Sequence, residues 1–169
     1  MSAKWTEGQI HIAMRRCLAI RGWQLIAGEF PGGSDHELYP LNVINPMVAC
    51  DNSPDPRRHS LGELIPDLVA LRDRKLLIAE AKVRYNAADQ SKLQLLVTER
   101  REHLLLALHT FAMERSIPLL LPVETLTIYP TLVFLTGGQP PPCSSGFSYL
   151  RIISDTEARF EGALQPDSV

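Results

Sequence analysis

The chain of 169 residues has the length of one domain, and a domain of that size buries roughly 70% of the surface that its unfolded chain exposes. A net charge of −2 excludes the strong global field that draws basic proteins to nucleic acid, although residues 57–101 carry ten Lys/Arg against six Asp/Glu. Three widely spaced cysteines without a CxxC pair exclude a disulfide framework and a zinc ribbon, and no apolar run resembles a signal peptide or a membrane span, so we expect a cytoplasmic protein.

The N-terminal part of the chain predicts a helix, a strand and a long loop. Apolar residues recur with helical period over residues 6–20, Thr6 and Gln9 have the spacing of a capping box, and Gly22 ends the helix. A short strand is predicted over residues 23–30. Residues 31–60 are rich in Gly, Pro, Asn and Asp, which indicates an irregular loop, and we expect this loop to select the substrate.

Two apolar runs, residues 64–71 and 76–83, flank a polar turn and predict a β-hairpin. If the hairpin closes symmetrically about its central two residues, Asp67 lies directly opposite Glu80. Strand alternation then places Lys82 on the same face as Glu80. The other positions on that face are apolar, so three charged groups are expected to meet on an otherwise hydrophobic surface.

The second half of the chain predicts one helix and several strands. The helix covers residues 88–115, and strand-like runs cover residues 119–121, 126–135 and 147–153, with a turn or stiff linker over residues 137–142. We therefore expect an α/β fold over residues 1–160, with a central mixed β-sheet flanked by helices in αβββαβ order and a flexible tail over residues 161–169.

The facing carboxylates indicate a cation site. Opposed residues in an antiparallel pair have Cβ atoms about 4.5–5.5 Å apart, where two bare carboxylates repel but can share one metal ion. Hard oxygen ligands suit Mg²⁺, which offsets charge on a phosphate and lowers the pKa of a bound water. A nearby amine can orient that water or help to deprotonate it. The pattern therefore favours phosphodiester hydrolysis.

The residues Pro66-Asp67, a spacer of twelve residues, and Glu80-Ala81-Lys82 resemble the PD-(D/E)xK signature of the restriction-endonuclease-like nucleases. The resemblance covers about residues 6–115, with the helix, strand, hairpin and helix order of that family's core. It implies that Asp67, Glu80 and the backbone carbonyl of Ala81 hold Mg²⁺, for which Mn²⁺ can substitute. It also implies that Lys82 acts on the attacking water.

Further site residues follow from the same resemblance. Many members place a glutamate early in the first helix, a position that Glu7 matches, and a polar residue after the motif, for which Gln90 or Lys92 is a candidate. Arg84 is a further candidate for contact with the substrate. An acid in the first turn of a helix is also favourable through the helix dipole alone, so Glu7 has a purely structural alternative.

The expected function is that of a Mg²⁺-dependent DNA endonuclease, which would need a homodimer to cut both strands of a duplex. One alternative is a non-catalytic module that keeps the nuclease fold for DNA binding or for docking a partner, which the nearly neutral charge favours. A small-molecule phosphohydrolase is a third class, although no phosphate-binding motif is visible. A structural alternative also exists, in which Asp67 ends a turn and Glu80 with Lys82 forms an exposed pair at a strand end.

Overall fold

The fold is known from a computed structural model that describes residues 4–30, 33–34, 66–137 and 145–164. Within these ranges the helices are α1 (Glu7–Ile20), α2 (Ala87–Val97) and α3 (Arg101–Glu114). The strands are β1 (Gln24–Phe30), β2 (Gly33–Ser34), β3 (Leu68–Arg72), β4 (Lys75–Ala81), β5 (Thr127–Leu135), β6 (Ser148–Ile152) and β7 (Ala158–Gly162). Most of the predicted loop over residues 31–60 lies outside the described residues. Its expected role in substrate selection therefore stays a prediction.

The seven described strands form one mixed sheet in the order β2-β1-β3-β4-β5-β6-β7. Strands β3 and β4 are antiparallel, β4, β5 and β6 run parallel, and β7 returns antiparallel at the edge. Helix α1 packs on one face of the sheet, whereas α2 and α3 pack on the other. The predicted α/β class, with a central mixed sheet flanked by helices, is confirmed.

Helix α1 begins as its sequence predicts. The Thr6 side chain accepts a hydrogen bond from the Gln9 backbone N–H, and the Thr6 N–H donates to the Gln9 side chain at 2.8 Å. This capping box satisfies two backbone N–H groups that the start of the helix would otherwise leave unpaired. The helix then buries one apolar face against the sheet, made of Ile10, Ala13, Met14, Cys17 and Leu18.

The hairpin register is the predicted one. The pairs run from Arg72 opposite Lys75 to Leu68 opposite Ala79. The two turn residues, Asp73 and Arg74, have φ of 48° and 64°, as a two-residue turn of type I′ requires. The ladder stops one step before Asp67 and Glu80, which therefore lie where the two strands begin to separate.

The prediction of a single helix over residues 88–115 is wrong, because the helix is interrupted between α2 and α3. The break begins at Thr98, where the side-chain hydroxyl donates to the Gln94 carbonyl at 2.8 Å. Val97 and Thr98 are consecutive β-branched residues, which fit poorly into a continuing helix. The change of direction lets both helices turn apolar residues toward the sheet.

The strand predicted over residues 119–121 is also wrong. A short 3₁₀ helix, Pro118–Leu120, stands there, and Pro at its first position lacks the N–H that a sheet ladder needs. The carbonyl groups of this segment are taken up instead by Arg74. Its guanidinium donates to the backbone oxygens of Leu119, Leu121 and Pro122 at 3.1, 3.2 and 2.7 Å.

The C-terminal part contains β6, as predicted, and also β7, which was not predicted. The predicted tail over residues 161–169 begins too early, because Glu161 and Gly162 belong to β7. Leu164 is buried, and its N–H donates to the Ser148 hydroxyl at 2.9 Å. Residues 165–169, and most of the linker predicted over residues 137–142, lie outside the described residues.

We expect Gly162→Ala to destabilise the protein by about 2 kcal/mol or more. Gly162 has φ of +87°, and a Cβ there would lie far inside van der Waals distance of the Phe147 carbonyl oxygen. Gly8→Ala is the matched control, since Gly8 lies in α1 with open space around its Cα, and it should stabilise by up to about 1 kcal/mol. Denaturant unfolding measures both, and equal effects would contradict the described end of β7.

Candidate metal centre

A cluster of charged side chains lies at the end of the β3–β4 hairpin that is opposite its turn. Asp67 immediately precedes β3, Glu80 is the last residue but one of β4, and Lys82 directly follows β4. Helix α1 approaches this end from one face of the sheet and α2 from the other. The site is therefore assembled by two strands and two helices.

Glu80 is almost completely buried, with 3% of its side chain exposed. Its Oε1 lies 2.6 Å from Nζ of Lys92 on α2, in a short ion pair that is not well aligned as a hydrogen bond. Burial and the neighbouring charge of Asp67 raise the pKa of Glu80 to about 8, although Lys92 opposes the shift. An exposed residue at a strand end would not behave in this way, so the structural alternative does not describe Glu80.

Asp67 is fixed against β4 by two hydrogen bonds. Its backbone N–H donates to the Ala79 carbonyl at 2.9 Å, and its Oδ2 accepts from the Ala81 N–H at 2.8 Å. The N–H and C=O of a strand residue leave the strand on the same side, so the Ala81 carbonyl also points toward the side of Asp67. These contacts place the three predicted metal-binding groups around one corner of the sheet.

Strand alternation placed Lys82 on the same face as Glu80, but β4 ends at Ala81 and the Lys82 side chain contacts a residue of α1. Its Nζ lies 2.5 Å from Oε1 of Glu7 on α1, which covers the opposite face of the sheet. Burial lowers the pKa of Lys82, but the hydrogen bond to Glu7 and the charge of Asp67 outweigh burial and raise the pKa overall. Lys82 is therefore an ammonium at neutral pH, and Glu7 holds it in place.

Helix α1 brings two residues to the site that sequence reasoning missed, His11 and Arg15. Nε2 of the buried His11 lies 3.6 Å from Oδ2 of Asp67, and burial lowers the pKa of the imidazole. Burial also lowers the pKa of Arg15, against the pull of the Asp67 charge. Glu7, His11 and Arg15 are spaced four residues apart on one helical stripe, which is the signal that could have identified them.

The remaining candidates lie on or near α2. Gln90 accepts a hydrogen bond from the Tyr85 hydroxyl at 2.7 Å and lines a groove of about 460 Å³ along the helix. Arg84 is exposed, with its predicted substrate contact untested. Asp89 was missed by sequence reasoning, and burial raises its pKa against the opposing charges of Lys82 and Lys92. The structure thus brings Lys92 into the cluster and places Gln90 in the groove.

The donor set fits a small hard cation. Within the described ranges, no three His, Cys, Asp or Glu side chains are arranged as a metal-binding group. However, Mg²⁺ commonly uses only one or two carboxylates and keeps several waters. Asp67 and Glu80 meet this requirement, and the mutual repulsion that helps to raise the pKa of Glu80 is the repulsion that a cation relieves.

Comparisons with known proteins do not identify the chain. No protein-family model matches it, and neither a curated protein nor a solved structure matches it. In the part of the chain that the structure describes, no helix combines the length and the apolar character needed to cross a bilayer. The function is therefore inferred from the geometry of the site itself.

Proposed function

We propose that this protein is a Mg²⁺-dependent DNA endonuclease with a restriction-endonuclease-like core, in which Asp67, Glu80 and the Ala81 carbonyl hold the metal ion. The observation that supports it most is Glu80, a nearly fully buried carboxylate near a second one, on strands that are apolar except for Arg72 and Lys75 beside the turn. Two neighbouring carboxylates, one of them buried, are costly to ionise together, and acids with strongly shifted pKa values are typical of functional sites.

The bound metal would offset the charge of the scissile phosphate and lower the pKa of a water, with Mn²⁺ as a substitute for Mg²⁺. Lys82, whose ammonium Glu7 and Asp67 stabilise, would act as a charged donor to a phosphate oxygen or to the attacking water. Glu7 positions Lys82, and the Ala81 N–H orients the Asp67 carboxylate. These residues thus supply orientation and charge around the phosphate.

Nucleic acid is the substrate class that the local charge favours. Residues 57–101 carry four more basic than acidic residues, in contrast to the whole chain with its net charge of −2. One such domain offers one metal site, so cutting both strands requires a two-fold dimer. A monomer by light scattering with duplex DNA bound would contradict the dimer.

Nicking of supercoiled plasmid with Mg²⁺ or Mn²⁺ tests the proposal. We expect Asp67→Asn and Lys82→Met each to lower the rate about 10² to 10⁴-fold, because one removes a metal ligand and the other a charged donor to the phosphate or the water. Arg159→Met removes one positive charge on β7, three strands away from β4, and should leave the rate unchanged. Nicking that survives both site substitutions in folded protein would overturn the mechanism.

One observation favours a second candidate, the non-catalytic module for DNA binding or partner docking. Glu80 and Glu7 each contact a lysine ammonium within this chain, that of Lys92 at 2.6 Å and that of Lys82 at 2.5 Å. A module of this kind would bind DNA equally well with and without divalent metal and would show no nicking. Calorimetric titration with Mg²⁺ separates the two candidates, because only the nuclease needs a metal site.

A further inference from the structure

Lys92 occupies the position from which a cation would neutralise Glu80. Its Nζ is 2.6 Å from Oε1, although the lysine comes from a helix and the glutamate from the sheet beneath it. We infer that Lys92 is an exchangeable counter-ion, which a divalent cation displaces from Glu80 and which then binds a phosphate oxygen of the nucleic acid. This inference rests on the proposed function, since it names a step in the loading of the same site.

Electrostatics favours the exchange. The Lys92 ammonium attracts the Glu80 carboxylate through a contact of 2.6 Å, whereas the Asp67 carboxylate repels it. A divalent cation placed between the two carboxylates attracts both and carries twice the charge, so it competes well with a single ammonium. The metal ion and the Lys92 ammonium also repel each other, and the lysine therefore leaves as the metal enters.

The displaced side chain has somewhere to go. Lys92 is 22% exposed, so part of its side chain lies at the boundary between the cluster and solvent. A lysine ammonium is a compact charge on a flexible stem with three donors, which suits a phosphate that arrives with the substrate. The charge released from Glu80 is thus available next to the metal ion only after the metal has bound.

Lys82, unlike Lys92, is expected to keep its contact when the metal ion binds. Its partner, Glu7, lies on α1 and is not one of the proposed metal-binding groups, so metal entry does not compete for the contact between them. Lys82 follows the end of β4 and contacts α1, whereas Lys92 lies on α2 and contacts β4. Lys82 is therefore positioned before metal binding, and Lys92 is released by it.

Side-chain NMR of ¹⁵N,¹³C-labelled lysine in the full chain tests the exchange, with Lys92→Arg used to assign the signal. We expect the Lys92 ammonium signal to move to the position of a freely hydrated lysine when Mg²⁺ is added, while the Lys82 signal keeps its position. If calorimetry shows Mg²⁺ binding but the Lys92 signal does not move, the exchange is overturned and the metal site stands. If calorimetry shows no Mg²⁺ binding, the proposed function is overturned together with the exchange.

A second measurement tests the new role of the lysine. With Ca²⁺ in place of Mg²⁺, which permits binding without turnover, Lys92→Gln should weaken duplex DNA binding about tenfold, and without divalent metal it should have little effect. Arg159→Gln, with the same loss of charge at the far edge of the sheet, should have little effect in either condition. A Lys92→Gln effect of equal size without metal would overturn the exchange.

Discussion

Glu80→Gln is expected to stabilise the metal-free protein at high pH while abolishing metal-dependent cleavage. The pKa of Glu80 is raised from an ordinary value of 4.5 to about 8 in the folded state, chiefly by burial. The folded protein therefore binds the proton more tightly than the unfolded chain does, and the stability contributed by this group falls as the pH rises from about 4.5 through about 8. Glutamine has no charge to desolvate, so the substitution removes this loss.

The expected gain in the free energy of unfolding follows from the size of the pKa shift of Glu80. It is on the order of 3 to 5 kcal/mol above pH 8 and close to zero below pH 4.5, where glutamate and glutamine are both uncharged. Urea unfolding in EDTA at pH 5 and pH 9 measures it, with the exposed Glu102→Gln on α3 as the control. A constant difference between wild type and Glu80→Gln across this range would show that Glu80 is not the buried acid described.

Phe111→Ala should cost about 3 to 5 kcal/mol of folding free energy. Phe111 is fully buried on α3, in the core that α2 and α3 form with the apolar residues of β3 and β4. Leu106→Ala is the matched control on the same helix, because Leu106 is 66% exposed and its loss should change stability by less than about 0.5 kcal/mol. Denaturant midpoints at constant slope measure both changes.

The same substitution also tests how the helices cover the site. Glu80 follows Ile78 on the face of β4 that α2 and α3 bury, so its environment depends on their packing. Equal destabilisation by Phe111→Ala and Leu106→Ala would mean that α3 presents a different face to the sheet. The burial of Glu80 would then need another explanation.

The parts of the fold that the sequence predicted are those that depend on local signals. The capping box at Thr6 needs only two residues three positions apart, and the hairpin register follows from a two-residue turn between two apolar runs. Asp67 and Glu80 could be placed together for that reason. The proximity of these two side chains depends only on the pairing of β3 with β4, which are consecutive in the sequence.

The parts that the sequence did not predict depend on contacts between distant segments. The partner of Glu80 is Lys92 on α2, and the partner of Lys82 is Glu7 on α1, and neither pairing is encoded in the strand alternation. His11 was missed because its spacing from Glu7 and Arg15 indicates a shared helical stripe but not the Asp67 carboxylate that the stripe meets. Strand β7 was missed because its extended conformation depends on pairing with β6, and its own residues carry no clear strand pattern.

The hydrogen bonds from the Arg74 guanidinium to the backbone carbonyls of the segment after α3 limit how this protein can change over evolution. They anchor the hairpin tip, so an inserted residue in the turn cannot be absorbed there and must shift the pairing of β4. A shift by one position turns every β4 side chain to the opposite face, which would direct Glu80 toward α1 and away from α2. We therefore expect related chains to keep the number of residues that separate Asp67 from Glu80 constant.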